Sequence, residues 1–241
     1  MTEGEWLACA EPGKMLEFLR GKTSERKLRL FACACCRRIW HIMPDEHCRG
    51  AVEVAERYAD GIASESELRS ATQEVWDSRG DLDPLAAPVH SAAADAAWYT
   101  AHPASYPDEV ARSAAFAAAD AVADAVLLRA GKDPVALFDN PDSLAAYDAE
   151  HVAQAGMLRD MHGPLPFRCV AIDPAWLRWN HGTVPAIARR VYDERAFHDL
   201  PILADALEDA GCAAADLLAH CRSGGEHGRG CWAVDLILGR S

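Results

Sequence analysis

The chain has 241 residues, half of them hydrophobic, and a formal net charge of −13 at pH 7. This length and hydrophobic content exclude an intrinsically disordered chain, because a sizeable core can be buried. The acidic balance disfavours general binding to nucleic acids or anionic membranes, whose phosphates it repels. No apolar run reaches the about 18 residues of a membrane span, and the start lacks a signal-peptide pattern. We therefore expect a soluble, cytoplasmic protein.

Helix signals dominate the first third of the chain. Apolar residues recur at spacings of three and four from 24 to 43, which predicts a helix that ends before Pro44. A second helix is predicted at 45–59. The sequence SESE at 64–67 is a capping box and predicts a third helix that runs to about Arg79.

The remainder of the chain also favours helices. Residues 80–84 form a predicted break, and alanine-rich sequence then extends to about residue 130. Within it, Pro107 is followed by two acidic residues, as is typical of a first helical turn. The last predicted helices lie at 141–162, 184–197, 200–211, 213–220 and 231–238.

The pattern as a whole predicts an all-α protein. Neither a long alternating apolar pattern nor an internal repeat is present. We expect a multi-helix bundle of about eight to ten helices, with at most one short extended segment near 167–172. The chain divides by composition into an N-terminal helical region (1–80), an alanine-rich helical middle (81–163) and a C-terminal helical block (164–241). These regions are expected to form one compact unit.

One segment reverses the acidic charge of the chain. Residues 20–49 contain eight basic and three acidic side chains, a local net charge of +5. Either this basic helix pairs with acidic side chains of the same chain, or it docks onto an acidic partner or RNA. The candidate partner-binding residues are Arg26, Arg29, Arg37 and Arg38.

Nine cysteines are spread along the chain. In a reducing compartment such cysteines are typically small buried hydrophobic residues. Cys33 and Cys36, inside the first predicted helix, are interpreted in this way. A metal shared with Cys48 or His41 is the alternative for this pair.

A second group of cysteines and histidines is concentrated near the C-terminus. A structural zinc site needs four ligands, and His220, Cys221, His227 and Cys231 offer four around a glycine-rich turn, with Cys212 as a substitute ligand. The spacing matches no strong zinc signature. Buried structural cysteines with exposed histidines are therefore the competing interpretation.

A thiol enzyme is a third interpretation of the same segment. The sequence GCWA at 230–233 is similar to the nucleophile segment of papain-like cysteine proteases, and His227 and Asp235 lie near Cys231. In that family the histidine and asparagine lie far downstream of the cysteine, whereas only ten residues follow Cys231 here. No catalytic residue is predicted.

Longer blocks at the two ends support a family resemblance. The N-terminal block EWLAC…FACACCRRIWH and the C-terminal block LPILADALEDAGC…HCR…RGCW resemble a large set of uncharacterised bacterial proteins abundant in planctomycetes. That set shares both ends around a variable, alanine-rich middle. The resemblance implies no activity, cofactor or catalytic residue, but it favours the two ends acting as one functional unit.

Three functional hypotheses follow from these observations. The first is a non-catalytic helical protein that acts through macromolecular interaction, with a protein partner or self-association and without nucleic acid, membrane or cofactor. The alternative is a zinc-binding protein with the C-terminal Cys/His site. The third is a thiol-dependent enzyme.

Overall fold

The computed structural model of the chain describes residues 1–79, 87–103, 106–132, 140–164, 166–168 and 170–240. Its α-helices are, in chain order, α1 (Glu3–Ala8), α2 (Pro12–Leu19), α3 (Glu25–Arg38), α4 (Glu46–Ala59), α5 (Glu65–Ser78), α6 (Ala87–Ala101), α7 (Pro107–Arg129), α8 (Pro141–His162), α9 (Pro174–Arg178), α10 (Thr183–Asp193), α11 (Leu200–Asp209), α12 (Ala215–Cys221) and α13 (Trp232–Leu238). Short 3₁₀ turns occupy Trp40–Ile42, Trp179–His181 and Phe197–Asp199.

The all-α prediction is confirmed, since these ranges contain no β-strand. The thirteen helices exceed the predicted eight to ten because α1, α2 and α9 are too short for apolar periodicity to show. The predicted break at 80–84 lies outside the described residues. Residue 169 of the expected extended segment also lies outside the described residues. The other residues of that segment, 167, 168 and 170–172, are turn or coil. No helix in the described ranges is long and apolar enough to cross a membrane.

The helices group into two compact units. The central unit is Cys9–Ala155, and the terminal unit combines Met1–Ala8 with Gly156–Ser241. The regions 1–80, 81–163 and 164–241 were predicted from composition, whereas the two units are defined by contacts between residues. The boundary between the units therefore lies within α8, where the composition of the sequence does not change.

The central unit is organised around α3. This helix begins after Ser24, whose hydroxyl accepts a hydrogen bond from the Lys27 amide at 3.3 Å. The helix packs against α4, α6 and α7, and its Phe31 side chain is fully buried. The predicted capping box is confirmed at the start of α5, where Ser64 and Glu67 bond to each other's backbone amides.

The described cysteines are mostly core residues. Seven of the eight are buried, and Cys9 is half-buried; the ninth, Cys169, lies outside the described residues. Burial raises the pKa of Cys33 and Cys35 well above the usual thiol range and that of Cys36 to about 12. These three thiols therefore behave as small apolar side chains rather than as nucleophiles.

The terminal unit packs α10, α11, α12 and α13 around one core. Buried side chains of this core include Val191, Leu203, Leu217 and Ile237. Helix α1 belongs to the same unit through Trp6, which is 1% exposed. The Trp6 ring lies edge-on to His162 at 6.3 Å and next to Phe167 at 6.2 Å. The first residues of the chain thus pack with residues far along it.

Candidate metal centre

Four side chains that can ligate a metal converge in the terminal unit. They are Asp160, His220, His227 and Cys231, and one potential ligand atom from each lies within 4.8 Å of all the others. Imidazole nitrogens, a thiolate and a carboxylate are ligand types that zinc accepts. The group can therefore hold a metal ion.

Three segments of backbone bring these residues together. Asp160 lies in the last turn of α8, and His220 lies in the last turn of α12. Cys231 directly precedes α13, and His227 lies in the turn between α12 and α13. That turn ends at Gly230, whose φ of +92° is a conformation that residues with a side chain rarely adopt.

The Asp160 carboxylate is the centre of the contacts. Its Oδ1 lies 2.6 Å from His227 Nδ1 and 3.2 Å from His220 Nε2. Its Oδ2 accepts a hydrogen bond from the Gly228 amide at 3.1 Å. His220 Nε2 also lies 3.1 Å from the Cys231 sulfur. Both carboxylate oxygens thus have polar partners within the protein, and the residue is only 6% exposed.

The environment of His227 defines its protonation. Its Nε2 lies 3.3 Å from the Ser223 carbonyl and 3.3 Å from the Ser223 hydroxyl, which itself donates to the His220 carbonyl at 2.7 Å. Both Ser223 oxygens therefore act as acceptors, so His227 Nε2 carries a proton. Its Nδ1 faces the Asp160 carboxylate, which is also an acceptor. The ring is consequently either a protonated cation or a neutral ligand with a metal at Nδ1.

The electrostatics of the metal-free site follow from this arrangement. Burial alone would lower the pKa of His227, but the hydrogen bond and charge of Asp160 outweigh it and raise that pKa. Burial alone would raise the pKa of Asp160, but hydrogen bonds from His220 and His227 outweigh it and lower that pKa. Without a metal, the two groups thus favour a buried ion pair.

Cys231 is fully buried. Burial, reinforced by the negative charge of Asp160, raises its pKa well above the usual range, although backbone amides of Val234 and Ala233 oppose the rise. A thiol that stays protonated is a poor nucleophile. A metal ion would reverse this condition, because coordination removes the thiol proton.

The other two cysteines proposed as ligands lie outside the group. Cys221 follows His220 directly, yet it is fully buried in the apolar core of the terminal unit, where burial raises its pKa to about 12. Cys212 is part of the same core. Asp160, which the sequence did not single out, is the fourth potential ligand instead.

Two of the four candidate partner-binding arginines contact the central unit's own backbone and carboxylates. Arg26 Nε donates to Asp60 Oδ1 at 3.1 Å. Arg29 is 6% exposed, and its Nη1 donates to the Thr100 carbonyl at 2.8 Å. Both guanidinium groups therefore have partners within the central unit.

The other two arginines make bidentate ion pairs. Arg37 donates to both oxygens of Glu56 at 3.0 and 2.9 Å, and Arg38 donates to both oxygens of Glu150 at 2.8 and 3.0 Å. Planar pairs of this kind are the strongest of the charged hydrogen bonds. Partner binding through these arginines stays a prediction, and a partner would have to compete with the internal pairs.

The Arg38 pair is expected to stabilise the central unit. An Arg38→Met substitution leaves the buried Glu150 carboxylate without its cation and should lower the free energy of unfolding by about 2 kcal/mol in urea titrations. The double variant with Glu150→Gln should recover most of the loss. Arg69→Met is the matched control, because Arg69 pairs with Glu65 at an exposed site and should cost less than about 0.5 kcal/mol. An equally small loss for Arg38→Met would show that the pair is dispensable.

The comparisons with known proteins add no assignment to this geometry. No protein-family model matches the chain, and neither a curated protein nor a solved structure matches it.

Proposed function

We propose that the chain is a zinc-binding protein in which a structural zinc ion ties the end of α8 to α12 and α13 within the terminal unit. The observation that carries this proposal is the convergence of Asp160, His220, His227 and Cys231 within 4.8 Å. Four protein ligands complete the tetrahedral shell of zinc and leave no position for a reactive water. The proposed role is therefore structural rather than catalytic.

The ligand chemistry supports zinc among the common ions. A cysteine and two histidines are soft and borderline ligands, which suit zinc and disfavour magnesium or calcium. The outer contacts also fit a zinc site: His227 donates its second ring nitrogen to Ser223, and the Asp160 oxygen remote from the group accepts from Gly228. Such contacts orient metal ligands.

The distances fit after adjustments of about 1 Å or less, since ligand atoms as far as 4.8 Å apart would have to approach one another by about 1 Å. Ligands about 2.0 to 2.3 Å from a tetrahedral ion lie roughly 3.3 to 3.8 Å from one another. The His220 nitrogen already lies 3.2 Å from the carboxylate and 3.1 Å from the sulfur of Cys231. The pair formed by Asp160 and His227, now 2.6 Å apart, would have to open by about 0.7 Å.

Elemental analysis tests the proposal. The full chain, purified without added metal and dialysed against metal-free buffer, should carry about one zinc per molecule. Cys231→Ala and Asp160→Asn should lose most of it. Cys221→Ala and Cys212→Ala are matched controls, because they remove buried thiols outside the group, and they should keep the zinc.

Cobalt substitution supplies an independent readout. A cobalt-loaded chain should show thiolate-to-metal absorption that Cys231→Ser removes and Cys221→Ser preserves. The proposal would be contradicted if the wild-type protein is purified without zinc and then also fails to bind one equivalent of added zinc or cobalt. Equal zinc loss in Cys221→Ala and Cys231→Ala would contradict the assigned ligands.

A further inference from the structure

A surface cleft lies beside the proposed metal centre, within the terminal unit. Its volume is about 220 Å³, several times the roughly 30 Å³ that one water molecule occupies in the liquid. Trp6, Trp232 and Leu7 are its apolar lining residues; the two tryptophans are each 1% exposed, so the accessible apolar surface comes mainly from Leu7, which is 62% exposed. This volume is below the roughly 300 to 1,000 Å³ of drug-sized ligand pockets, so the cleft, with its few charged groups, suits only a small ligand.

The cleft adjoins the proposed metal centre and shares His220 with it. His220 itself lines the cleft, whereas the other three candidate ligands do not. Arg159 lines it and directly precedes Asp160 in α8, and Trp232 lines it and directly follows Cys231. The His220 and Trp232 rings also contact each other at 5.1 Å between centroids. An ion that fixes the ligands would therefore fix the walls of the cleft.

The charges of the cleft have both signs. Arg159 and Arg168 face it together with Glu3 and Asp216. Arg168 bridges the two acids at 3.2 and 3.1 Å, and these side chains are between a third and a half exposed. Exposed ion pairs contribute little to stability, so a ligand that offers both charges can replace the bridge at small cost.

We propose that this cleft binds a small zwitterion of the α-amino-acid type with an apolar side chain, and that the metal ion organises it. The ligand carboxylate would pair with Arg168 or Arg159, its ammonium group with Asp216 or Glu3, and its side chain would lie against the exposed Leu7. A purely anionic or cationic ligand would leave one pair of cleft charges unmatched. This inference rests on the proposed zinc site.

Calorimetric titration with L-leucine tests the proposal on the full, zinc-loaded chain. Leucine should bind saturably, while N-acetyl-L-leucine and L-leucinamide, which each lack one charge, should bind about tenfold more weakly or worse. The same protein stripped of zinc by a chelator should lose the binding. Equal affinity for leucine and N-acetyl-L-leucine, or for the loaded and stripped protein, would overturn the proposal.

Variants separate this proposal from the zinc site itself. Arg168→Gln and Asp216→Asn should each weaken leucine binding about tenfold while zinc content stays unchanged, which also shows that the variants fold. Arg190→Gln is the matched control, because Arg190 pairs with Asp199 and is not part of the cleft. Zinc-loaded protein without saturable leucine binding overturns the cleft proposal alone, whereas a chain that never holds zinc overturns both.

Discussion

Removing zinc from the wild-type chain is expected to lower its free energy of unfolding by about 4 kcal/mol, when free zinc in the loaded sample exceeds its dissociation constant about 1,000-fold. The reason is that zinc in the proposed site would bind four side chains placed by the folded terminal unit and would find no comparable site in the unfolded chain. For a chain of this size, the loss corresponds to a fall in melting temperature of about 8 to 16 °C. Thermal unfolding followed by circular dichroism, with and without chelator, measures it.

The control for this experiment is a variant that lacks one of the proposed zinc ligands. Cys231→Ala should unfold at the same temperature with and without chelator, whereas Cys221→Ala should respond to the chelator as the wild type does. A wild-type melting temperature that the chelator leaves unchanged would contradict a stabilising role for zinc.

The loaded and stripped proteins should respond to pH in opposite directions. In the stripped protein, the raised pKa of His227 contributes stability that is complete below its ordinary value of 6.5 and is lost as pH rises through the raised value. The lowered pKa of Asp160 contributes stability above its ordinary value of 3.8, which is lost as pH falls through the lowered value. The ion pair therefore stabilises most between these two ordinary values.

Above pH 6.5, where the stability from the ion pair is lost as pH rises, the stability from zinc binding should increase. Zinc binding needs a neutral His227 and a deprotonated Cys231, so zinc affinity should rise with pH. The measurement is the difference in free energy of unfolding between wild type and His227→Gln from pH 5 to 8, made once with zinc-loaded protein and once with zinc-stripped protein. A difference that grows with pH in the stripped protein would contradict the assigned ion pair.

A Gly163→Ala substitution is expected to destabilise the terminal unit by about 4 kcal/mol. Gly163 follows α8 with a φ of +51°, and a Cβ atom there would overlap the indole of Trp232, coming within 2.6 Å of its Cε2 atom; Trp232 is 1% exposed. The buried ring has little room to move, so the steric cost adds to the cost of a left-handed residue with a side chain. Urea denaturation measures the loss. Because Trp232 follows Cys231, the zinc content should fall as well.

The same helix offers a matched control. Gly156 lies within α8, and a Cβ atom added to it meets nothing within 4 Å. Gly156→Ala should therefore stabilise the chain by up to about 1 kcal/mol, because alanine favours the helix more than glycine does. Equal effects of the two substitutions would show that the Trp232 contact is not the cause.

Local patterns predicted the fold wherever the relevant contacts are local. The Ser64 capping box and the start of α7 at Pro107 depend only on neighbours along the chain, and both are confirmed. Helices α1, α2 and α9 were not predicted, since elements of five to eight residues owe their stability to tertiary packing rather than to sequence period.

The candidate site shows the same limit. The density of residues from His220 to Cys231 marked the segment, but spacing alone could not choose between His220 and its neighbour Cys221. Adjacent helical residues point about 100° apart. Only packing shows that Cys221 faces the core while His220 faces Asp160. Asp160 itself lies 60 residues earlier on another helix, and no short-range pattern connects it to the group.

The place of α1 in the terminal unit has a consequence for how the chain folds during synthesis. Arg159 donates to the backbone of Trp6 across 153 residues, so α1 leaves the ribosome long before the segment that covers it. The central unit, Cys9–Ala155, can be completed in that interval, since domains fold as units in the order of synthesis. The two rings that pack against the Trp6 indole, those of His162 and Phe167, are made only after the whole central unit, so this tryptophan waits for its native neighbours through most of synthesis.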